Sequence, residues 1–141
     1  MAAVVTITYD GDPDVLGGPQ RVRRIIMDWT SHTDGAATGT TKKISGHIIK
    51  IITNPGSTAP TDNYDIAITG DESDDILANS IATLANRDTS TTEIIYPFVK
   101  DAAATPLEQS VFPVVCDVLS IAVTNAGSTK DGKIVIYWTP D

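Results

Sequence analysis

The feature that most constrains this chain is its punctuation. Short runs rich in Val, Ile and Thr are each cut off by a cluster of Gly, Pro, Asp or Asn. β-Branched residues suit a pleated, half-buried surface, and the breakers cannot continue a ladder. Residues 3–9 (AVVTITY) stop at DGDPD, and residues 21–33 (RVRRIIMDWTSHT) follow a GGP breaker and end beside Asp34-Gly35. Residues 43–53 (KISGHIIKIIT) read as a longer strand with Gly46 as a bulge, closed by NPGSTAP. Residues 63–69 alternate, with Tyr64, Ile66 and Ile68 on one face and Asp65, Ala67 and Thr69 on the other. Strand returns at 91–99, at the hydrophobic stretch 111–124, and at 133–139 (KIVIYWT). Only 76–86 (ILANSIATLAN) suits a helical or irregular segment, because its apolar residues follow a 3.6-residue period. The expected fold is therefore all-β and mainly antiparallel, a β-sandwich or small β-barrel with at most one short helix.

With 141 residues and no linker or repeat, the expectation is one domain over residues 1–141, its N-terminal segment free to extend as an arm. A chain of this size buries roughly 68–70% of its unfolded surface and needs no staple to fold. The single cysteine, Cys116, excludes an intrachain disulfide and a cysteine-based zinc site. Within VVCDVLSIAV it is expected to be a buried, inert thiol. No secretory leader or membrane-length apolar run is visible, so folding in a reducing cytoplasm is expected.

The net charge of −8 is uneven: residues 1–53 carry six Lys/Arg against five Asp/Glu, and residues 54–141 carry four against thirteen. This balance disfavours general nucleic-acid binding, which draws on Lys and Arg to neutralise phosphate. Asp10, Asp12 and Asp14 imitate the opening of a calcium loop, but Val15 and Arg21 stand where that loop needs glycine and glutamate. Asp71, Glu72, Asp74 and Asp75 could in principle ligate calcium. Neighbouring side chains in so short a run diverge, so they are better read as a strand end whose Asp74 or Asp75 caps the next turn. His32 and His47 sit in strand-like segments with no nucleophile motif nearby, and no phosphate-binding glycine motif is present. Neither an enzyme nor a cofactor is expected.

The stretch 52–97, with its pieces TNPGSTAPTDNYDIAIT, DESDDIL and LANRDTSTTE, resembles a pattern of small virion proteins from tailed bacteriophages, as does the closing GKIVIYW. The resemblance implies a capsid decoration (cement) or minor head protein on the outer surface of the virion, assembled in the bacterial host cytoplasm. Its implied partners are the major capsid protein and its own copies in a homotrimer, with no nucleic acid or membrane contact. This chain departs from the pattern in its acidic turn, where relatives carry a glycine-containing loop.

Such a protein needs extended strands able to pair across subunits. The N-terminal segment, with Ala2 and Val4, and the C-terminal strand, with Ile134 and Trp138, are the candidates. The basic run Arg21, Arg23 and Arg24 reads either as an internally paired face or as a contact with an acidic partner. The alternative reading is a tail- or fibre-associated module that binds a receptor or carbohydrate. Scattered aromatics, only 6% of the chain, weigh against sugar stacking.

Overall fold

One strand organises the molecule. A computed structural model describes residues 3–10, 22–76, 84–99 and 112–140. In it a 19-residue strand, β3 (Ala37–Pro55), serves two layers. The other strands are β1 (Val4–Asp10), β2 (Arg23–Thr30), β4 (Asp65–Thr69), β5 (Glu93–Ile95), β6 (Val114–Thr124) and β7 (Asp131–Pro140). The first part of β3 pairs with β6 from Ala37↔Val123 to His47↔Val114, and the last part pairs with β7 from Gly46↔Pro140 to Pro55↔Gly132. The full order is β1-β2-β7-β3-β6-β4, with β5 added to β3, and every pairing is antiparallel.

Two glycines make this arrangement possible. At Gly46, where β3 changes partner, a Cβ would lie 1.9 Å from the carbonyl oxygen of Thr139. Gly39 lets the first half of β3 cross the β1–β2 pair, since a Cβ there would lie 2.8 Å from Val5 Cγ1 and 3.2 Å from Met27 Sδ. The sheet therefore folds over itself into an open sandwich, and the expected all-β antiparallel class is the class observed.

Alternation fills the space between the layers. Ile25, Met27 and Trp29 of β2 meet Ile134, Ile136 and Trp138 of β7, with Ile44, Ile48 and Ile51 of β3. Ile66 and Ile68 of β4, with the neighbouring Tyr64, close the core against Leu119, Ile121 and Val123 of β6. A bulge interrupts the β3–β6 ladder between Thr40 and Lys43. There Thr41 Oγ1 accepts the Leu119 N–H at 3.0 Å, so a buried hydroxyl replaces the lost backbone acceptor.

Three expectations change here. Cys116 is exposed, not buried: Val115 and Leu119 take the inward positions of β6 and leave the thiol facing out. The C-terminal strand is not a free edge, because β7 is bonded to β2 on one side and β3 on the other. Strand also begins earlier than 43, at Ala37. The expected helix over 76–86 falls mostly on residues 77–83, outside the described residues.

Candidate interaction surfaces

Strand register places side chains on the outer face of the sheet formed by β1, β2, β7, β3 and β5. Thr8, Ile26, Val135, Ile52 and Ile94 stand opposite one another in a single row across these five strands. This row is apolar where a solvent-facing sheet surface would ordinarily be polar. Two positions along lies the row Thr6, Asp28, Lys133 and Asn54, in which Lys133 Nζ is 3.7 Å from Asp28. On the opposite flank lies Asp10, Arg24, Tyr137 and Lys50. Beyond that flank, Val22, Ile49, Lys50, Tyr96, Phe112 and Tyr137 line an open groove of about 360 Å³. Tyr96 stacks on Phe98, and Phe98 packs at 5.2 Å on Phe112.

At this end of the molecule, cations rest on rings. Arg23 lies over Trp138 at 5.5 Å and Arg24 over Tyr137 at 6.0 Å. Lys42 lies over Tyr9 at 4.6 Å, and Lys50 over Tyr137 at 4.4 Å. The first two pairs follow from register, because Arg23 is directly opposite Trp138 and Arg24 directly opposite Tyr137. Arg24 also donates through Nε to Asp10 at 2.8 Å and forms an ion pair with it. That hydrogen bond, then the one with Tyr137, holds its pKa above the ordinary guanidinium value. Arg23 and Lys50 have no carboxylate partner among the described residues. Arg23 Nε and Trp138 Nε1 are both buried, and neither has a hydrogen-bond acceptor among the described residues.

The blocks TDNYDIAIT and LANRDTSTTE, separated by 14 residues, are bonded to each other. The Asn63 N–H donates to the Arg87 carbonyl at 3.0 Å, and the Arg87 N–H to the Tyr64 carbonyl at 2.7 Å. Asp65 accepts from the Asn86 N–H at 3.0 Å and from Asn125 Nδ2 at 2.7 Å. Arg87, almost fully buried, donates to the Ala85 carbonyl and lies 3.6 Å from Glu93. Glu93 in turn accepts the Asp88 N–H at 2.8 Å, and Thr89 Oγ1 donates to the Pro60 carbonyl. The N–H groups of Ser90, then Thr91, hold the Asp88 carboxyl below the usual carboxylate range. Asp65, Arg87, Asp88, Thr89 and Glu93 are each bonded to backbone of this region, so the arrangement is a structural lock.

The lock also covers an edge. The Ile66 N–H donates to the Leu84 carbonyl, and the Ile76 N–H donates to the Ile68 carbonyl, so the outer side of β4 is occupied by its own chain. Between them, the acidic residues form a tight turn in which the Gly70 N–H donates to the Asp74 carbonyl and the Ser73 N–H to the Gly70 carbonyl. Asp71, Glu72, Asp74 and Asp75 are all exposed on it. Among the described residues, no three His, Cys, Asp or Glu side chains converge in a way that could hold a metal.

The expected partner-binding residues are scattered by this geometry. Val4 is 55% exposed on β1, which has no partner on its outer edge among the described residues. Arg23 and Arg24 are neighbours that face opposite sides of the sheet, Arg23 over the core residue Trp138 and Arg24 over Tyr137 on the outer face. Ile134, at 1% exposure, and Trp138, at 5%, are core side chains, buried because β7 is a central strand. Ala2 and Arg21, with the DGDPD turn beyond Asp10, lie outside the described residues. Tyr9, Lys42 and Lys50 were not singled out by sequence, because only register shows which ring each cation meets.

No protein-family model matches the sequence, and no curated protein matches it. Two virus-particle structures are distantly similar. Infectious bursal disease virus, Gx strain, aligns with 97% of this chain and 32% of its own at 10% identity and a TM-score of 0.33. The virus-like particle of the extra small virus of the giant freshwater prawn Macrobrachium rosenbergii aligns with 100% of this chain and 82% of its own, at 14% identity and a TM-score of 0.26. The chain thus spans about a third of the length of the first. Superpositions this loose do not establish a shared fold.

Proposed function

We propose that this chain is a structural virion protein, a decoration (cement) protein that binds the outside of a tailed-phage head and stabilises contacts between major capsid subunits. It acts as a homotrimer, without catalysis, cofactor or direct nucleic-acid contact. The observation that supports this reading is the unequal treatment of the two ends of the strand order. At one end, β4 is sealed by Leu84, Arg87 and Ile76. At the other, the outer edge of β1 has no partner strand among the described residues along Val4–Tyr9, six residues without a charge. A long uncharged edge is a template for a partner's strand and an aggregation hazard unless something pairs with it. The sequence resemblance adds the identity of that partner, a neighbouring capsid subunit.

Co-sedimentation with undecorated capsids tests the proposal. Saturable binding is expected, falling sharply for Val4→Lys, since a charge on an edge strand opposes strand addition. Capsids that pellet without the protein at any concentration would refute it.

A further inference from the structure

We propose that two copies of this chain pack face to face through the outer surface of the β1-β2-β7-β3-β5 layer, about a two-fold axis lying along its apolar row. The contact goes beyond the capsid reading and does not depend on it. Being two-fold, it joins copies that belong to different trimers.

The surface itself is the first observation. Ile26, Val135, Ile52 and Ile94 form one row across four neighbouring strands. Five large hydrophobic side chains are exposed among the described residues, and four of them, Val4, Val22, Ile94 and Tyr96, lie on this face. Such a concentration of exposed apolar surface marks an interaction site. Size is the second observation. Strands lie about 4.8 Å apart and outward residues about 6.8 Å apart along each, so five strands by three rows present roughly 500 Å² per copy. Roughly 1,000 Å² for the pair is the least that a specific contact buries.

Charge selects a second copy as the occupant and fixes the axis. The rows to either side of the apolar row differ: Arg24 and Tyr137 stand on one flank, Asp28 and Lys133 on the other. All four alternate with core residues and so face outward together, and the Arg24 and Asp28 side chains are both partly exposed. A two-fold axis along the row turns each flank of one copy onto the opposite flank of its partner. Asp28 then meets Arg24 across β2, and Lys133 meets the Tyr137 ring across β7, so an ion pair and a cation–ring contact are each made twice. An axis along the strands would instead set Arg24 over Lys50, cation on cation. With the axis along the row, the strands of the two copies stay aligned, as in a sandwich with its sheets about 10 Å apart.

Light scattering behind size-exclusion chromatography reads the contact. Ile52→Lys, which charges the middle of the row, is expected to weaken the two-fold association about thirtyfold, and Ile94→Lys at its margin about tenfold. Melting by circular dichroism checks that both variants fold, and Ile94, 55% exposed, is replaceable without touching the core. Crosslinking tests the axis. In a Cys116→Ser background, a short bis-maleimide should join copies through Ile52→Cys, which meets itself, and not through Lys133→Cys, which lies off the axis. Linkage through Lys133→Cys instead, or association indifferent to both lysine variants, would overturn the contact. A hexamer that obeys the pattern supports both contact and trimer, and a dimer that obeys it supports the contact and overturns the trimer. If Ile52→Lys abolishes capsid co-sedimentation while the mass of the chain in solution is unchanged, the face belongs to the capsid and the contact is overturned. Two-fold association without capsid binding would support the contact and refute the capsid reading.

Discussion

Tyr64 shows how much a single residue reports about this fold. Its ring is 1% exposed, and burial, then the Glu93 charge, pushes its phenol up to about 12. The folded pKa is raised above the ordinary value of about 10, so the protonated form is the one the core accepts. The stability tied to it is complete below pH 10 and is lost as pH rises through about 12. Ultraviolet titration should show one tyrosine ionising only as the chain unfolds in base, and Tyr64→Phe should abolish that late step. A Tyr64 that ionises with the exposed tyrosines in the folded chain would contradict the packing. Cys116 makes a simpler test: a thiol reagent should label native protein at one site per chain without denaturant. Sequence reasoning buried this residue because apolar neighbours surround it, but alternation alone decides which way a strand residue faces. Arg87 illustrates the reverse case. Nothing in ANRDTS marks it as buried, yet Arg87→Met should cost about 3 kcal/mol in chemical denaturation, because it strips Glu93 and the Ala85 carbonyl of their partner.

At the level of elements, the strands that alternate bulky and polar residues were legible, and β4 is the clearest, with Ile66 and Ile68 inward as expected. The first part of β3 was not legible. Its inward positions are Ala37, Gly39 and Thr41, small residues that pack against another layer and leave no hydrophobic signal. Register was equally hidden, and with it the central place of β7, since pairing partners are chosen by distant segments. The two β3 glycines should respond differently to substitution. At Gly39 a methyl group meets side chains that can shift, so Gly39→Ala should cost about 1 kcal/mol. At Gly46 it meets backbone, so Gly46→Ala should cost about 3 kcal/mol or more. Equal melting temperatures for the two variants would mean that β3 does not pass between layers at Gly46.

On the scale of the whole molecule, polar chemistry is spent on holding two distant blocks together, and the accessible features are an edge, an apolar row and a charged end. The sequence resemblance rests on PTDNYDI and ANRDTS, and the structure bonds the two to each other: they are two halves of one hydrogen-bonded lock that seals β4. What the pattern could not disclose was the surface left over, because exposure depends on which strand ends each layer. The central claim is that this surface stabilises a shell. The most direct test is the melting temperature of undecorated capsids with and without the protein. Wild-type chain should raise it in a saturable way, and Val4→Lys should raise it less while melting like wild type on its own, since Val4 is 55% exposed. A capsid melting temperature that the wild-type chain leaves unchanged at saturating concentration would contradict the account.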